Sequence, residues 1–143
     1  MNLQAQQFIT LFSEVNRGWR NSLDKRLKPL GLSHTRWVAL LYLSRDAGPA
    51  NQKDIAARLG IESASLVSVL DSLEQDGLIA RQEDAADRRR KTIHLTDKGA
   101  RIIESIHATL ADVRDELLGN VTARELRTCI DVLNKMRTNA EKL

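Results

Sequence analysis

Apolar residues recur every three or four positions at both ends of the chain, which is the spacing of one helix face. This pattern predicts a long amphipathic helix over residues 3–27, ended by Pro29 and Gly31. Two more helices are predicted after Thr96 and Thr122, and the second has the Thr-x-x-Glu spacing of a capping box. These helices carry more apolar surface than one chain can cover. We therefore expect a homodimer, with a monomer of compact helical core as the alternative.

Shorter elements are predicted in the middle of the chain. Ser33 is a candidate N-cap for a helix that runs to about Arg45, and residues 46–49 then break the pattern. Asn51 opens a third helical pattern. Gly60 supplies the backbone freedom for a tight turn before the next helix.

A fourth helix is predicted to begin near Ser63, and two strand-like runs follow it at residues 78–82 and 92–95. Helix, turn, helix and hairpin is the order of a winged helix-turn-helix. We therefore predict a mainly α fold with a small β-hairpin wing (α+β), folded as one domain over residues 1–143. Residues 33–96 would form the winged lobe, while residues 1–30 and 97–143 would form a helical dimerisation lobe.

Composition excludes several classes of protein. The chain has 143 residues, of which 42% are hydrophobic and 29% are charged, as in ordinary globular domains. Cys129 is the only cysteine and His34, His94 and His107 are scattered, so we expect no disulfide and no metal site. No phosphate-binding loop or nucleophile motif is found, so neither a cofactor nor an enzymatic activity is expected. No membrane-length apolar run or signal peptide is found, which indicates the bacterial cytoplasm.

The predicted hairpin loop is strongly basic, although the net charge of the chain is only +3. Arg88, Arg89, Arg90 and Lys91 follow one another there. Such cations gain affinity for duplex DNA by releasing counterions, and arginine is favoured in a narrow minor groove. Asp87 is expected to accept hydrogen bonds from an arginine or from the wing backbone. The alternative to DNA binding is that the four basic residues only keep the turn solvated.

The fourth helix is expected to enter the adjacent major groove, because small residues on its outward face allow close approach. Ser65 and Ser68 can donate hydrogen bonds to phosphates or base edges, although serine is tolerated on any exposed helix. Gln52 and Lys53 are candidates for backbone phosphates, and a solvated Lys53 is the alternative. The candidate DNA-binding residues are therefore Gln52, Lys53, Ser63, Ala64, Ser65, Ser68, Asp87, Arg88, Arg89, Arg90 and Lys91.

The chain resembles the MarR family of bacterial winged-helix regulators, and more narrowly its SlyA-like branch, in the segments RLKPLGLSHTRWVAL, LGIESASLVSVLDSLEQDGLI and ADRRRKTIHLTDKG. The resemblance covers nearly the whole chain. It implies a homodimeric transcription regulator on an inverted-repeat operator in double-stranded DNA, with Arg88 or Arg89 in the minor groove and Ser65 on the recognition helix. SlyA-like proteins usually have proline in place of Ala64 and arginine in place of Ser68, so their usual operator is not transferred.

The resemblance also implies a site for small aromatic carboxylates such as salicylate, whose binding would relieve DNA binding. Arg17, Arg20, Thr35 and Trp37 match positions of that site, and a guanidinium with an indole suits an aromatic anion. A core role for Trp37 and a surface ion pair for Arg17 are the alternatives. The competing function is a winged-helix interaction module whose wing binds an acidic protein partner.

Overall fold

A computed structural model describes residues 2–45, 50–89 and 91–143. The elements in these ranges are α1 (Leu3–Leu27), a 3-10 turn (Lys28–Leu30), α2 (His34–Arg45), β1 (Ala50–Asn51), α3 (Gln52–Leu59), α4 (Ser63–Gln75), β2 (Ile79–Glu83), β3 (Lys91–Leu95), α5 (Asp97–Leu118) and α6 (Ala123–Ala140). The predicted mainly α fold with a hairpin wing is confirmed. Contacts divide the chain into two units, residues 1–113 and 114–143.

Helix α1 has the predicted bounds, because a polar cap begins it and a proline turn follows it. The side chain of Asn2 accepts hydrogen bonds from the N–H groups of Gln4 and Ala5. Pro29 lies in the 3-10 turn, and Gly31 ends that turn with φ of +73°. Within the described ranges, no helix is both long and apolar enough to cross a lipid bilayer.

The core of the first unit is made by the apolar faces that the sequence predicts. Trp37 on α2 and Ile55 on α3 are both buried in it. Leu66, Leu70 and Leu73 on α4 have no exposed surface, and their spacing of three and four residues places them on one helix face. The core also contains Leu23, Leu27, Leu32, Ala39, Leu40, Leu41, Leu43, Ala56, Leu78, Ile79, Ile93, Ile103, Ile106 and Val113. The opposite face of α4 is therefore left for solvent or a partner.

The predicted hairpin of β2 and β3 is confirmed, and among the described residues a third antiparallel strand, β1, extends it in the order β1-β3-β2. Ala50 pairs with Ile93 and Asn51 with Thr92, and α3 begins only at Gln52. Asn51 thus directly precedes the first residue of α3, which is the cap position that the sequence predicts for it. A strand of two residues is too short to show an alternating pattern. The predicted break at residues 46–49 lies outside the described residues.

Two left-handed glycines shape the turns on either side of α4. Gly60 has φ of +65° between α3 and α4, and the N–H of Ile61 donates to the Ala56 carbonyl at 3.2 Å. Gly77 has φ of +72° after α4, and its N–H donates to the Glu74 carbonyl at 2.9 Å. Residues with a Cβ rarely adopt this backbone, so both turns depend on glycine.

Helix α5 begins against the turn that precedes β2. The Thr96 hydroxyl donates to the Gly77 carbonyl at 2.6 Å and accepts from the N–H of Gly99 at 3.1 Å. The Thr96 N–H also donates to the Leu78 carbonyl at 3.2 Å. The predicted cap at Thr96 is thus present, and the same residue ties α5 to the turn that follows α4.

The second unit contains the end of α5 and the whole of α6. Helix α6 begins with the predicted capping box: the Glu125 carboxylate accepts from the Thr122 N–H at 2.9 Å, and the Glu125 N–H donates to the Thr122 hydroxyl at 3.3 Å. Within this chain Ile130 is 48% exposed and Leu133 is 41% exposed. The apolar stripe of α6 is therefore largely uncovered.

Candidate nucleic-acid interface

The outward face of α4 consists of small exposed side chains. Ser63, Ala64, Ser65 and Ser68 are all exposed. Glu62 occupies the N-cap position, but its side chain forms no capping hydrogen bond. N–H groups at a helix N-terminus that lack side-chain partners are suited to bind a phosphate. The carboxylate of Glu62 beside them would repel one.

The wing tip presents arginines on a locally ordered turn. Arg88 and Arg89 are exposed, and so is Lys91 at the start of β3. The Asp87 carboxylate accepts a hydrogen bond from the N–H of Arg89 at 3.0 Å. This is the backbone bond that the sequence predicts for Asp87, and it orders the turn that carries the arginine. Arg90 lies outside the described residues.

Two predicted phosphate contacts lie at the start of α3. Gln52 is the first residue of the helix and is half-buried, whereas Lys53 is exposed. The amino group of Lys53 therefore has access to solvent, and the helix N-terminus adds a partial positive charge. The structure brings the predicted residues onto three elements of one winged helix: the start of α3, the outward face of α4 and the wing.

A charged cluster that the sequence analysis missed joins α4 to the wing. Arg81 on β2 donates through Nη2 to the carboxylate of Asp71, and through Nε to Glu74 Oε2 at 3.3 Å. Its backbone N–H donates to the same Glu74 oxygen at 3.1 Å. The hydrogen bond to Asp71 is the largest cause that raises the pKa of Arg81. The sequence does contain a signal for this cluster. Two acidic residues lie three positions apart on α4, and one arginine follows them in the next strand.

A second arginine anchors the end of α4. Arg36 on α2 donates through Nη1 to the Gly31 carbonyl at 2.7 Å and through Nη2 to the carboxylate of Asp76. The Asp76 carbonyl accepts from Nζ of Lys98 at 2.8 Å. The C-terminus of α4 is therefore held from α2 and from α5.

Two of the four predicted ligand residues converge on one carboxylate. Trp37 is 6% exposed, and its indole N–H donates to Asp24 Oδ1 at 2.8 Å. Nε of Arg20 lies 4.0 Å from Asp24 Oδ2, and Nδ1 of His34 lies 3.0 Å from Asp24 Oδ1. The carboxylate of Asp24 thus contacts Arg20 and Trp37, two of the residues predicted to bind the carboxylate of a ligand. Of the other two predicted residues, Arg17 is exposed on α1 and Thr35 is half-buried on α2.

Comparisons with known proteins agree with this architecture. The MarR family model matches residues 30–90, from the end of the 3-10 turn to the wing. Transcriptional regulator PA3341 is 40% identical with a TM-score of 0.83, and the match covers 95% of this chain and 99% of that one. Wild-type MarR from E. coli in its apo form is 28% identical with a TM-score of 0.77, covering 89% and 93%.

The MepR–DNA complex of S. aureus is 26% identical with a TM-score of 0.81, and the match covers 92% of this chain and 97% of that one. The family match spans the helix-turn-helix and the wing, and the 40% identical regulator is matched over almost its whole length. This chain therefore belongs to the MarR family of transcriptional regulators.

Proposed function

We propose that this protein acts in the bacterial cytoplasm as a homodimeric transcriptional regulator that binds an inverted-repeat operator in double-stranded DNA. The single observation that carries the proposal is that the two surfaces with which a winged helix contacts DNA are both exposed in this chain. These are the small residues of α4, represented by Ser65 and Ser68, and the wing cations Arg88 and Arg89. The DNA-bound state of MepR, a protein of the same fold, supports the proposal.

The two surfaces have different tasks on the duplex. Helix α4 lies in the major groove, where the hydroxyls of Ser65 and Ser68 bond to base edges or phosphates. Arg88 and Arg89 reach the adjacent minor groove, whose negative potential favours guanidinium groups. Lys53 and the N-terminus of α3 bind backbone phosphate. Phosphate contacts supply most of the affinity, and base contacts select the sequence.

Dimerisation explains why the operator is an inverted repeat. A two-fold axis in the protein requires the same axis in the DNA, with half-site centres about 10–10.5 bp apart or a multiple of that spacing. A second copy would cover the exposed apolar residues of α1, such as Phe12, and those of α6, such as Ile130.

We expect this chain to prefer a different DNA sequence from the one that SlyA-like regulators usually bind. An arginine on the recognition helix discriminates by about 1–3 kcal/mol through a bidentate contact with guanine. Ser68 stands at that position and makes single hydrogen bonds at most. We therefore propose a SlyA-like scaffold with a changed operator.

The test is duplex binding by a wing variant. Arg88→Ala with Arg89→Ala should abolish binding to a duplex enriched from a random library, while thermal melting stays unchanged. The matched control is Arg114→Ala with Arg124→Ala, which removes two exposed cations outside the winged helix. Fluorescence anisotropy measures both affinities, and wild-type affinity in the wing variant would contradict the proposal.

Salt dependence separates DNA binding from the acidic-partner alternative. A duplex binder with roughly 6–10 phosphate contacts loses about 10³–10⁵ in affinity between 50 and 200 mM salt. We expect this steep loss on the enriched duplex. A protein that binds no duplex at low salt would instead favour the interaction module.

We further propose that a small aromatic carboxylate relieves DNA binding by replacing Asp24 as the partner of Arg20 and Trp37. Salicylate should then release the wild-type protein from its duplex. Trp37→Phe keeps an aromatic ring but removes the indole donor, so its complex should resist salicylate. Because Trp37 also lies in the core, thermal melting must show that the variant is still folded at the temperature of the assay. Equal sensitivity of the two complexes would contradict this site.

A further inference from the structure

We propose that Arg81 is a positioning residue for DNA recognition: it bridges Asp71 and Glu74 and so fixes the angle between α4 and the wing hairpin. The inference rests on the proposed function, because it concerns the same DNA-reading surface. Arg81 is two residues from the start of β2, and the chain after β2 forms the wing tip.

The bridge holds both the backbone and the side chain of the strand. Glu74 Oε2 accepts from the N–H of Arg81 at 3.1 Å and from its Nε at 3.3 Å. Asp71, one helical turn earlier on α4, accepts from Nη2 of the same guanidinium. Arg81 is also the register partner of buried Ile93 on β3. The positions of both wing strands are thereby fixed relative to α4.

Stability alone does not account for this cluster. The side chains of Asp71 and Glu74 are 51% and 42% exposed, and ion pairs with exposed partners contribute little to folding. Two carboxylates near a DNA-binding surface also repel phosphate. A role in geometry accounts for both facts, since the groove contacts of α4 and of the wing must form together. The planar fork of arginine can bridge two carboxylates, whereas lysine presents a single ammonium.

The opposing interpretation is that Arg81 itself binds a DNA phosphate. An open groove of about 420 Å³ beside the cluster is lined by Arg81, Lys91, Asp71 and Glu74 among others, so a phosphate has room to approach. The two interpretations predict opposite results for the same substitutions. A phosphate contact needs only the positive charge, whereas a positioning residue needs the fork and both carboxylates.

The first experiment compares Arg81→Lys and Arg81→Gln on the enriched duplex and on random-sequence duplex by fluorescence anisotropy at several salt concentrations. We expect both variants to lose about tenfold or more in specific affinity, with an unchanged salt slope and little change on random duplex. Wild-type specific affinity in Arg81→Lys would overturn the inference. So would a salt slope that falls by about one in Arg81→Gln, because it identifies a phosphate contact.

The second experiment removes an acid instead. Glu74→Gln deletes a negative charge, so binding to random duplex should stay equal or become tighter. Specific binding should nevertheless weaken, because the wing loses its fixed angle, and the ratio of specific to non-specific affinity should fall. Tighter specific binding by Glu74→Gln would overturn the inference.

Two controls make the outcomes distinguishable. Arg114→Gln breaks an exposed ion pair with its neighbour Asp115 and should leave both affinities unchanged. Thermal melting shows whether a variant is folded; if Arg81→Gln is not, Arg81→Lys and Glu74→Gln decide. A wild-type protein that binds no duplex overturns the proposed function together with this inference. A wild-type protein that binds, with variants of unchanged specificity, overturns this inference alone.

Discussion

At the scale of single residues, Gly99 marks a close approach between α5 and the turn before β2. A Cβ at this position would lie 2.1 Å from the Leu78 carbonyl oxygen and 3.3 Å from Cδ2 of Leu95. Because the nearer atom belongs to the backbone, Gly99→Ala must displace the turn or the helix. We expect a loss of about 1–3 kcal/mol in the free energy of unfolding, measured by urea denaturation.

The matched control for this prediction is Gly18→Ala. Gly18 lies inside α1, and a Cβ added there would meet open space, with no neighbouring atom within 4 Å. Alanine at this position should stabilise the helix by about 0.5–1 kcal/mol. A Gly99→Ala protein as stable as the wild type would contradict the close packing at Leu78.

Local hydrogen bonds could be predicted from the sequence, whereas long-range ones could not. The bond from the Arg89 N–H to Asp87 joins residues two positions apart, so the composition of the turn indicates it. The partners of Arg81 lie on another element, and their proximity depends on how β2 packs beside α4. No pattern within either segment specifies that packing.

At the scale of elements, periodicity predicted the helices because each carries apolar residues at the spacing of one helix face, whether or not the single chain buries that face. Helix α1 has the predicted bounds, and the start of α4 at Ser63 is also as predicted. Strand β1 was missed because its two residues, Ala50 and Asn51, are held by pairing with β3 rather than by any pattern of their own. The sequence thus indicates elements that have a face to bury, and misses one defined only by its neighbour.

The capping box of α6 predicts a specific pH dependence. Hydrogen bonds from the backbone N–H of Thr122, and then from its hydroxyl, lower the pKa of Glu125 below its ordinary value of 4.5. A lowered pKa in the folded state means that the cap contributes stability above the unfolded pKa. That contribution is lost as the pH falls through the folded pKa.

The measurement is the free energy of unfolding of the wild type and of Glu125→Gln across pH 3 to 7, a range of roughly four units around the titration. The wild type should be the more stable above the ordinary pKa, and the difference should shrink as the solution becomes acidic. Thr122→Ser keeps both donors and should retain the wild-type profile. A difference that grows on acidification would contradict the sign.

At the scale of the whole molecule, each of the two units leaves an apolar stripe uncovered in the single chain. Phe8 and Phe12 on α1 stack with ring centroids 6.4 Å apart and are 42% and 46% exposed. On α6, Ile130 and Leu133 are exposed to a similar extent. Exposed apolar residues grouped along one helix usually mark an interaction site. We propose a second copy of the chain as the partner, because a two-fold dimer would also match the proposed inverted repeat in DNA.

Phe8→Ala with Phe12→Ala should therefore weaken self-association at least about tenfold, since aromatic residues at an interface centre often contribute about 2 kcal/mol or more. Sedimentation velocity at micromolar concentration should show a dimer for the wild type and a shift toward monomer for the variant. Gln7→Ala changes an exposed polar residue of the same helix and should remain dimeric.

The proposed dimer should also determine how this variant binds DNA. Two linked winged helices bind an inverted repeat with the advantage of a high effective concentration, whereas a monomer binds each half-site separately. The variant should therefore lose affinity for the full operator but keep that of the wild type for an isolated half-site. A wild-type monomer in sedimentation would refute the dimer, and equal operator affinity of a monomeric variant would refute its role in recognition.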